Sequence, residues 1–275
     1  MVTVLRYAAF TSDPAGGNPA GVVLDSRGLD DATMQAIAGE VGYSETAFTD
    51  EPDASGVRPV RYFSPKAEVP FCGHATVATA VALAERNGPG EIVFSTPAGI
   101  VPVTVDGDLR ATLTSVEPST EEAGDLTDVL DILSWSPDDL DPALPPRIAY
   151  AGARHLVLGT ATRQRLAALD YDFDRLLAYM LERDLTTLQL VWQESPTVFH
   201  VRVPFPVGGV VEDPATGAAA AAFGAYLREI GAAQPTITLH QGDDLGRPSL
   251  ITVELRPDDN RVRVSGNAVP ITAPA

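Results

Sequence analysis

The chain of 275 residues contains a single cysteine, Cys72, and a single lysine, Lys66. One cysteine excludes an internal disulfide and any metal site built from several cysteines. Basic residues are scarce: 19 face 37 acidic ones, for a net charge of −18. This balance argues against binding nucleic acid or an anionic membrane through a basic face. Uninterrupted apolar runs of transmembrane length are also missing.

Several well-known cofactor and metal motifs are absent as well. There is no G-x-G-x-x-G after a strand, no Walker lysine motif and no G-x-S-x-G nucleophile elbow. No two of the four histidines have the i, i+4 helical spacing of a metal site. We therefore predict neither a metal nor a cofactor. The first ten residues lack the basic and apolar regions of a secretory signal, so a cytoplasmic location is expected.

What is present is enough apolar sequence for a globular core, with 45% hydrophobic and 20% charged residues. Gly73 and Gly217 each begin an Ala-rich, helix-prone stretch that follows an extended segment. A helix that begins in this way has backbone N–H groups pointing outward, and these favour anions. Two such helix starts suggest a cleft that binds an anionic small molecule from both sides.

The pattern around these helices occurs twice along the chain. Each half contains strand-like runs, a candidate helix (30–41 and 173–183), the Ala-rich stretch and closing hairpins. The Ala-rich stretches are apolar all round, which is typical of enclosed helices. We predict an α+β fold from internal duplication, with two similar domains. Each is a curled, mostly antiparallel sheet around a central helix. The domains are 1–116 and 147–275, and the acidic, proline-rich segment 117–146 is a linker.

The two halves differ in where they carry acids. Glu45 begins an apolar extended segment in the first half only, and Asp213 precedes the helix start in the second half only. A carboxylate partly removed from water has a raised pKa and can move a proton near neutral pH. Either acid could instead be an ordinary solvated loop carboxylate, and Asp213 could simply organise a turn. We predict that both are catalytic.

Other polar residues near the helix starts complete the candidate site. His74, the second residue of its stretch, could donate to a ligand or exchange a proton with it. Cys72 is either a buried small hydrophobe or a reactive thiol. Asn18, in a rigid turn between two strands, could reach the cleft. Arg247, in the loop Gly-Asp-Asp-Leu-Gly-Arg-Pro-Ser, could pair with a carboxylate or with a surface acid.

Five ordered motifs resemble the PhzF-like isomerases of phenazine biosynthesis. They are Gly-Asn-Pro-Ala-Gly at 17–21, Gly-Tyr-Ser-Glu-Thr-Ala-Phe at 42–48, Phe-Ser-Pro at 63–65, Cys-Gly-His-Ala-Thr at 72–76 and Glu-Asp-Pro-Ala-Thr-Gly at 212–217. The resemblance implies a diaminopimelate-epimerase-like fold, a site between two similar domains, a homodimer and proton transfer without a cofactor.

By this resemblance, Glu45 is the residue that moves the proton, while His74 and Asp213 assist it. The first residues of the two Ala-rich helices hold the substrate carboxylate. They are Gly73 and His74 in one helix and Gly217 and Ala218 in the other. The family commonly has serine where this chain has Ala218, so one hydroxyl is missing.

The function expected from the sequence is isomerisation of a small carboxylic acid. Two alternatives stay open at this point. The first is an epimerase or racemase that uses Cys72 as a base, and the second is a binding protein of the same fold that has lost turnover.

Overall fold

The computed structural model describes residues 2–272, which form sixteen β-strands and six α-helices. The strands are β1 (Leu5–Ala9), β2 (Asn18–Val23), β3 (Glu45–Thr49), β4 (Val57–Phe63), β5 (Glu68–Val69), β6 (Gly90–Thr96), β7 (Gly99–Val105), β8 (Arg110–Thr114), β9 (Ser119–Glu122), β10 (Arg147–Tyr150), β11 (Arg154–Gly159), β12 (Thr187–Ser195), β13 (Val198–Arg202), β14 (Thr236–Gln241), β15 (Ser249–Arg256) and β16 (Asp259–Pro270). The helices are α1 (Asp31–Val41), α2 (Gly73–Asn87), α3 (Thr127–Ile132), α4 (Arg163–Ala167), α5 (Phe173–Glu182) and α6 (Gly217–Glu229).

The chain divides into two compact units. The first consists of Met1–Thr114 and Ser265–Ala275, and the second of Ser115–Val264. The end of β16 belongs to the first unit because it pairs antiparallel with β1, with Ala9 opposite Ala268. These boundaries differ from the predicted ones, which assigned the whole of 147–275 to one domain.

The segment 117–146, expected to be a linker, is folded into the second unit. It contains β9 and α3, and its side chains Val129, Leu133 and Trp135 are buried in an apolar cluster with residues of α5, β11 and β12. Prolines and acids dominate the composition of this segment. The apolar side chains between them nevertheless bury enough surface to hold it in place.

The first unit is a mixed sheet around α2. Its strands follow the order β1-β2-β3-β4-β6-β7-β8, and the end of β16 completes it beside β1 and β8. The pairs β2–β3 and β4–β6 are parallel. Every residue of α2 from 74 to 84 is buried, and the helix packs against β1, β2, β3, β7 and β8. The predicted enclosed helix is confirmed here.

The second unit repeats this arrangement around α6. Its strands follow the order β9-β10-β11-β12-β13-β14-β15, with parallel pairs β11–β12 and β13–β14. Helix α6 is buried from 219 to 227 and packs against β9, β10, β11, β12 and β15. The α+β class is confirmed, with parallel pairs inserted among antiparallel ones. The internal duplication stays a prediction.

Capping residues determine where α1 and α5 begin. Helix α1 starts one residue after the predicted position because the Asp30 side chain accepts from Thr33 N–H as its cap, and it ends at left-handed Gly42. Helix α5 is capped in the same way by Asp172. Within residues 2–272, no helix combines the length and the apolar character needed to cross a membrane.

Candidate active site

Glu45 lies at the first residue of β3, where it contacts the start of α2. Its Oε2 atom accepts from the Cys72 thiol at 3.4 Å and lies 3.4 Å from Nε2 of His74. The carboxylate keeps 16% of its side-chain surface exposed, against 7% for the imidazole. The structure therefore brings together three of the predicted side chains in a largely buried group, of which Glu45 is the more exposed member of its pair with His74.

The imidazole of His74 is held from both sides. Its Nδ1 atom lies 3.2 Å from Nδ2 of Asn18, and its Nε2 atom lies 3.3 Å from Oγ of Ser44. When Asn18 donates to Nδ1, the proton of a neutral ring is on Nε2, facing Ser44 and Glu45. The predicted site residue Asn18 thus acts on the histidine's tautomer and orientation. Ser44, which the sequence analysis did not single out, takes part in the same way.

Asn18 occupies its place because of the glycine before it. Gly17 has a φ of +63°, and a Cβ at this position would lie 2.4 Å from the carbonyl oxygen of Ala9. Only glycine combines this backbone conformation with such a close approach. The tight turn then starts β2 at Asn18, opposite Ala9 in β1, with its side chain buried.

The start of α2 is fixed by hydroxyl groups beneath it. Cys72 is the N-cap residue and makes no side-chain capping bond. Its carbonyl oxygen instead accepts from Thr76 Oγ1 at 2.7 Å, and Thr76 Oγ1 in turn lies 2.6 Å from the hydroxyl of Tyr62. Burial raises the pKa of Tyr62, so the phenol stays protonated and donates. No sequence pattern predicts this support, because its members are on different elements.

Asp213 and the start of α6 form a second group, in the second unit. The carboxylate Oδ2 of Asp213 accepts from Thr216 Oγ1 at 2.5 Å, and Thr216 is the N-cap residue of α6. Gly217 and Ala218, the predicted carboxylate-binding residues, are the first two residues of this helix and are partly exposed. The structure brings these predicted residues together in one turn.

Gln241 at the end of β14 ties this turn together. Its Oε1 atom accepts from the backbone N–H of Thr216 at 3.1 Å, and its Nε2 atom donates to the carbonyl oxygen of Asp213 at 2.7 Å and to Thr216 Oγ1 at 2.9 Å. The side chain is buried, so these bonds replace water contacts fully. Gln241 was not predicted, because a glutamine at a strand end has no distinctive pattern in a sequence.

The loop that carries Arg247 packs against the same turn. Ser249 Oγ donates to the carbonyl oxygen of Pro214 at 2.8 Å. Gly242 has a φ of +78°, and a Cβ there would lie 2.3 Å from the carbonyl oxygen of Arg247 and 2.9 Å from that of Pro214. The backbone of Arg247 therefore supports the Asp213 turn, while pairing of its guanidinium with a ligand stays a prediction.

A buried ion pair anchors the chain just before Asp213. Glu212 accepts two hydrogen bonds to Oε1 and Oε2 from the guanidinium of Arg202, and only 1% of its side-chain surface is exposed. Nearby, the hydroxyl of Tyr171 donates to the carbonyl oxygen of Val211. Burial, followed by the charge of Glu212, raises the pKa of Tyr171 to about 12. Glu212 is thus a structural acid.

The chain matches known proteins along nearly all of its length. The family model described as "Phenazine biosynthesis-like protein" matches residues 7–273. An uncharacterized isomerase, YddE of Escherichia coli strain K12, is 35% identical over 97% of this chain and 95% of its own. Trans-2,3-dihydro-3-hydroxyanthranilate isomerase of Pseudomonas chlororaphis is 32% identical over 95% of this chain and 94% of its own.

Solved structures agree with these relatives. A phenazine biosynthesis protein of the PhzF family from Bacillus anthracis superimposes with a TM-score of 0.88 and 26% identity, covering 98% of this chain and 97% of its own. A probable proline racemase from Agrobacterium radiobacter, at 12% identity, covers 98% of this chain and 91% of its own, with a TM-score of 0.67. It shares the fold alone.

These likenesses first define a class: the protein is an isomerase with a diaminopimelate-epimerase-like fold. Within that class, the chain belongs to the PhzC/PhzF family of phenazine biosynthesis-like proteins. The resemblance drawn from its five sequence motifs is confirmed.

Proposed function

We propose that the protein is a cofactor-independent isomerase that moves a proton on a small amino- or hydroxy-carboxylic acid. The Glu45 carboxylate takes a proton from one carbon of the substrate and returns it to another. Substrate and product then contain the same atoms, and Glu45 ends in its starting charge state. The observation that carries the proposal is the contact of Glu45 Oε2 with both His74 and Cys72 at the start of α2.

The neighbours of Glu45 suit a residue that changes protonation state during a reaction. The Cys72 thiol donates to Oε2, and Nε2 of His74 lies 3.4 Å from the same oxygen, so the thiol stabilises the carboxylate before it takes the proton. Asn18 and Ser44 keep the imidazole in this orientation. A fixed orientation is what general base catalysis requires, because proton transfer depends on hydrogen-bond geometry.

Helix starts supply the binding groups in this proposal. The first N–H groups of an α-helix have no partner within the helix and favour anions. In α2 these belong to Gly73 and His74, and the N-cap residue makes no side-chain capping bond. In α6 they belong to Gly217 and Ala218, next to Asp213. We propose that these N–H groups bind the substrate carboxylate and that Asp213 polarises the substrate. The sequence predicts that both helices bind the same substrate molecule.

The relatives support a carboxylic acid as substrate. The Pseudomonas chlororaphis relative is a trans-2,3-dihydro-3-hydroxyanthranilate isomerase, and a 2,3-dihydroanthranilate has, beside the carbon that bears its carboxylate, a saturated ring carbon with a hydrogen that a base can remove. This compound is therefore the first probe.

The test is solvent exchange. Trans-2,3-dihydro-3-hydroxyanthranilate is incubated with the protein in deuterium oxide, and deuterium in recovered substrate and product is measured by mass spectrometry. We expect incorporation with the wild type and its loss in Glu45→Gln. The matched control is Glu40→Gln, which removes an exposed acid from α1. Equal incorporation by wild type and Glu45→Gln would remove Glu45 from the proposed role.

Should the first probe show no exchange, a panel of cyclic and amino carboxylic acids is screened by thermal shift. A ligand that binds only the folded protein raises its melting temperature. The compounds that do so then enter the deuterium experiment.

An epimerase that pairs Cys72 with Glu45 is disfavoured by their separation. Two bases on opposite faces of a stereocentre each lie about 3 Å from the carbon, so they are roughly 6 Å apart. The thiol and the carboxylate are 3.4 Å apart and bonded to each other. We therefore expect Cys72→Ser to retain measurable exchange. A complete loss in Cys72→Ser, with a folded protein, would favour the epimerase.

The alternative of a binding protein without turnover rests on Ala218, where a hydroxyl is missing. It predicts tight binding of a carboxylic acid with no change in mass, structure or isotope content. Deuterium incorporation by the wild type rules it out. We also propose a homodimer, on the family resemblance, and a monomeric mass in light scattering would contradict it.

A further inference from the structure

Thr216, the N-cap residue of α6, does not use its side chain to cap the helix. A threonine at this position usually accepts from the backbone N–H two or three residues further on. In this protein its side chain makes no capping bond, and the hydroxyl instead donates to Oδ2 of Asp213 at 2.5 Å. The hydroxyl is thus directed at a candidate catalytic acid and away from the contact that would stabilise α6.

Gln241 fixes the direction of this hydrogen bond. Its Oε1 atom accepts from the N–H of Thr216, and its Nε2 atom donates to the carbonyl oxygen of Asp213. Because a backbone N–H only donates and a carbonyl oxygen only accepts, the two ends of the amide cannot be exchanged. Nε2 therefore also donates to Thr216 Oγ1, at 2.9 Å. The hydroxyl oxygen receives a hydrogen from the amide, and its own hydrogen is directed to Asp213.

The amide that sets this direction is part of the folded sheet. Gln241 is 1% exposed and lies opposite Ser249 in the antiparallel pair of β14 and β15. The hydrogen bonds that lead from β14 through Thr216 to Asp213 are therefore in place before a substrate binds. A contact that is already in place costs no reorganisation during a reaction.

A donor at this carboxylate suits an acid that acts in its charged form. A hydrogen bond donated to a carboxylate favours the ionised state, whereas burial favours the neutral one. Asp213 is 7% exposed, and the charge of the adjacent Glu212 is paired with Arg202. The hydroxyl of Thr216 therefore offsets part of the cost of burying the Asp213 charge.

The other glycine-led helix has the same arrangement. Cys72, the N-cap residue of α2, makes no side-chain capping bond, and its thiol donates to Oε2 of Glu45. In both units the N-cap side chain thus donates to an acid and does not cap the first N–H groups of its helix. The shared arrangement of two different residue types favours a role at the candidate site over a role in helix stability.

We propose that Thr216 is a positioning residue of the isomerase, which holds the charged carboxylate of Asp213 in the orientation that polarises the substrate. Thr216 acts through Asp213 and does not itself contact the substrate. The hold on Asp213 follows from the hydrogen bonds alone, and only its effect on the reaction rate rests on the proposed function.

The first experiment measures this hold without a substrate. Thr216→Val removes the hydroxyl and keeps the branched shape, and its effect on urea unfolding is compared in the wild-type chain and in Asp213→Ala. We expect Thr216→Val to lower the urea midpoint of the wild-type chain. In Asp213→Ala the same substitution should lower it by less than half as much, because the acceptor of the hydroxyl is already missing. Equal shifts in the two chains would overturn the assignment.

The second experiment separates positioning from support of the helix. The kinetics of deuterium exchange into trans-2,3-dihydro-3-hydroxyanthranilate are measured over a range of substrate concentrations. We expect Thr216→Val to lower kcat about 10-fold, the scale of one hydrogen bond to a charged group, with KM close to the wild-type value. The N–H groups proposed to bind the carboxylate belong to the backbone and stay in place. A raised KM with unchanged kcat would instead show a role in the shape of α6 and overturn the proposal.

Two further variants complete the kinetic test. Thr216→Ser restores a hydroxyl and should recover most of the lost rate, so a rate as low as that of Thr216→Val would contradict the positioning role. The matched control is Thr236→Val, at an exposed position of β14, which should leave kcat and KM unchanged.

The two proposals fail in different ways. Absence of exchange by the wild-type protein contradicts the proposed function, and the urea experiment still decides whether the hydroxyl holds Asp213. Exchange by the wild type at a rate that Thr216→Val does not change overturns the positioning role alone.

Discussion

At the start of α2, the thiol of Cys72 and the imidazole of His74 contact the carboxylate of Glu45, which lies on β3. All three side chains are of types that can gain or lose a proton. At the start of α6, the Asp213 carboxylate is bonded to a threonine hydroxyl, and a buried glutamine amide fixes the turn around it. Both helices begin with a glycine after an extended residue. The same backbone therefore supports a cluster of thiol, imidazole and carboxylate in one unit and a rigidly held acid in the other.

This contrast predicts unequal losses of activity when each acid is replaced by its amide. We expect Glu45→Gln to lower the rate of deuterium exchange about 10³–10⁴-fold, because it removes the base. Asp213→Asn should lower it by about 10²-fold, the scale of one lost electrostatic contact. A larger loss for Asp213→Asn than for Glu45→Gln would reverse the assignment of roles.

The hydrogen bonds that support the two helix starts should contribute different amounts to the free energy of unfolding. Gln241→Leu removes the acceptor of the Thr216 N–H and a donor to the Asp213 carbonyl, at a cost of about 1–3 kcal/mol in the free energy of unfolding. Tyr62→Phe removes one hydroxyl while Thr76 stays bonded to Cys72, and should cost about 0.5–1.5 kcal/mol. Urea unfolding measures both.

Gln164→Leu, at an exposed position of α4, is the control for the glutamine substitution and should leave the urea midpoint nearly unchanged. If Gln241→Leu also left the midpoint unchanged, the amide would not be holding the start of α6.

A buried histidine gives the second unit a pH dependence. Burial lowers the pKa of His155, in β11, to about 3, and its Nδ1 atom lies 2.7 Å from Thr187 Oγ1. Between a pKa near 6.5 in the unfolded chain and about 3 in the folded one, only the unfolded chain binds the proton. The free energy of unfolding therefore falls as pH drops below about 6.5, by at most about 1.4 kcal/mol per pH unit.

We expect His155→Gln to flatten this fall when melting temperatures are measured from pH 7 to pH 5. His200→Asn, at a partly exposed position, is the matched control. Identical pH profiles for wild type and His155→Gln would show that other groups cause any loss of stability in acid.

The smallest effect is expected at Ala218, where a substitution can add a hydroxyl group to the start of α6. Ala218→Ser restores a hydroxyl at the second residue of α6, and one net hydrogen bond to a bound carboxylate improves its affinity roughly two- to tenfold. Affinity for the carboxylic acid found by thermal shift is measured by titration calorimetry. Ala218→Gly, which adds no hydroxyl, should show no gain; weaker binding by Ala218→Ser would contradict the placement of the carboxylate.

Features of this structure that depend on neighbouring residues can be predicted from the sequence, whereas contacts between residues far apart in the sequence cannot. The enclosed helices and their glycine starts follow from local composition, and so do the helix caps at Asp30 and Asp172. Glu45 and His74 were predicted as site residues, but the contact between them, formed across 29 positions of sequence, needed the fold. Ser44 was missed as an individual contact for the same reason.

Two larger features were also beyond sequence patterns. The segment 117–146 looked like a linker because prolines and acids outnumber its apolar side chains, yet Leu133 and Trp135 find partners on α5 and β12. Gln241 joins a turn that is 25 residues away along the chain. In both cases the stabilising contact is between distant residues, and composition carries no information about it.

The strand β16 has a consequence for the order of folding during synthesis. Its last residues pair with β1, with Tyr7 opposite Pro270, and the N–H of Phe10 donates to the carbonyl oxygen of Asn267. The first unit thus cannot complete its sheet until the end of β16 has left the ribosome, although β1 emerges before the other strands. The second unit lies within Ser115–Val264 as one continuous stretch, so it is free to fold first, against the usual N-terminal-first order.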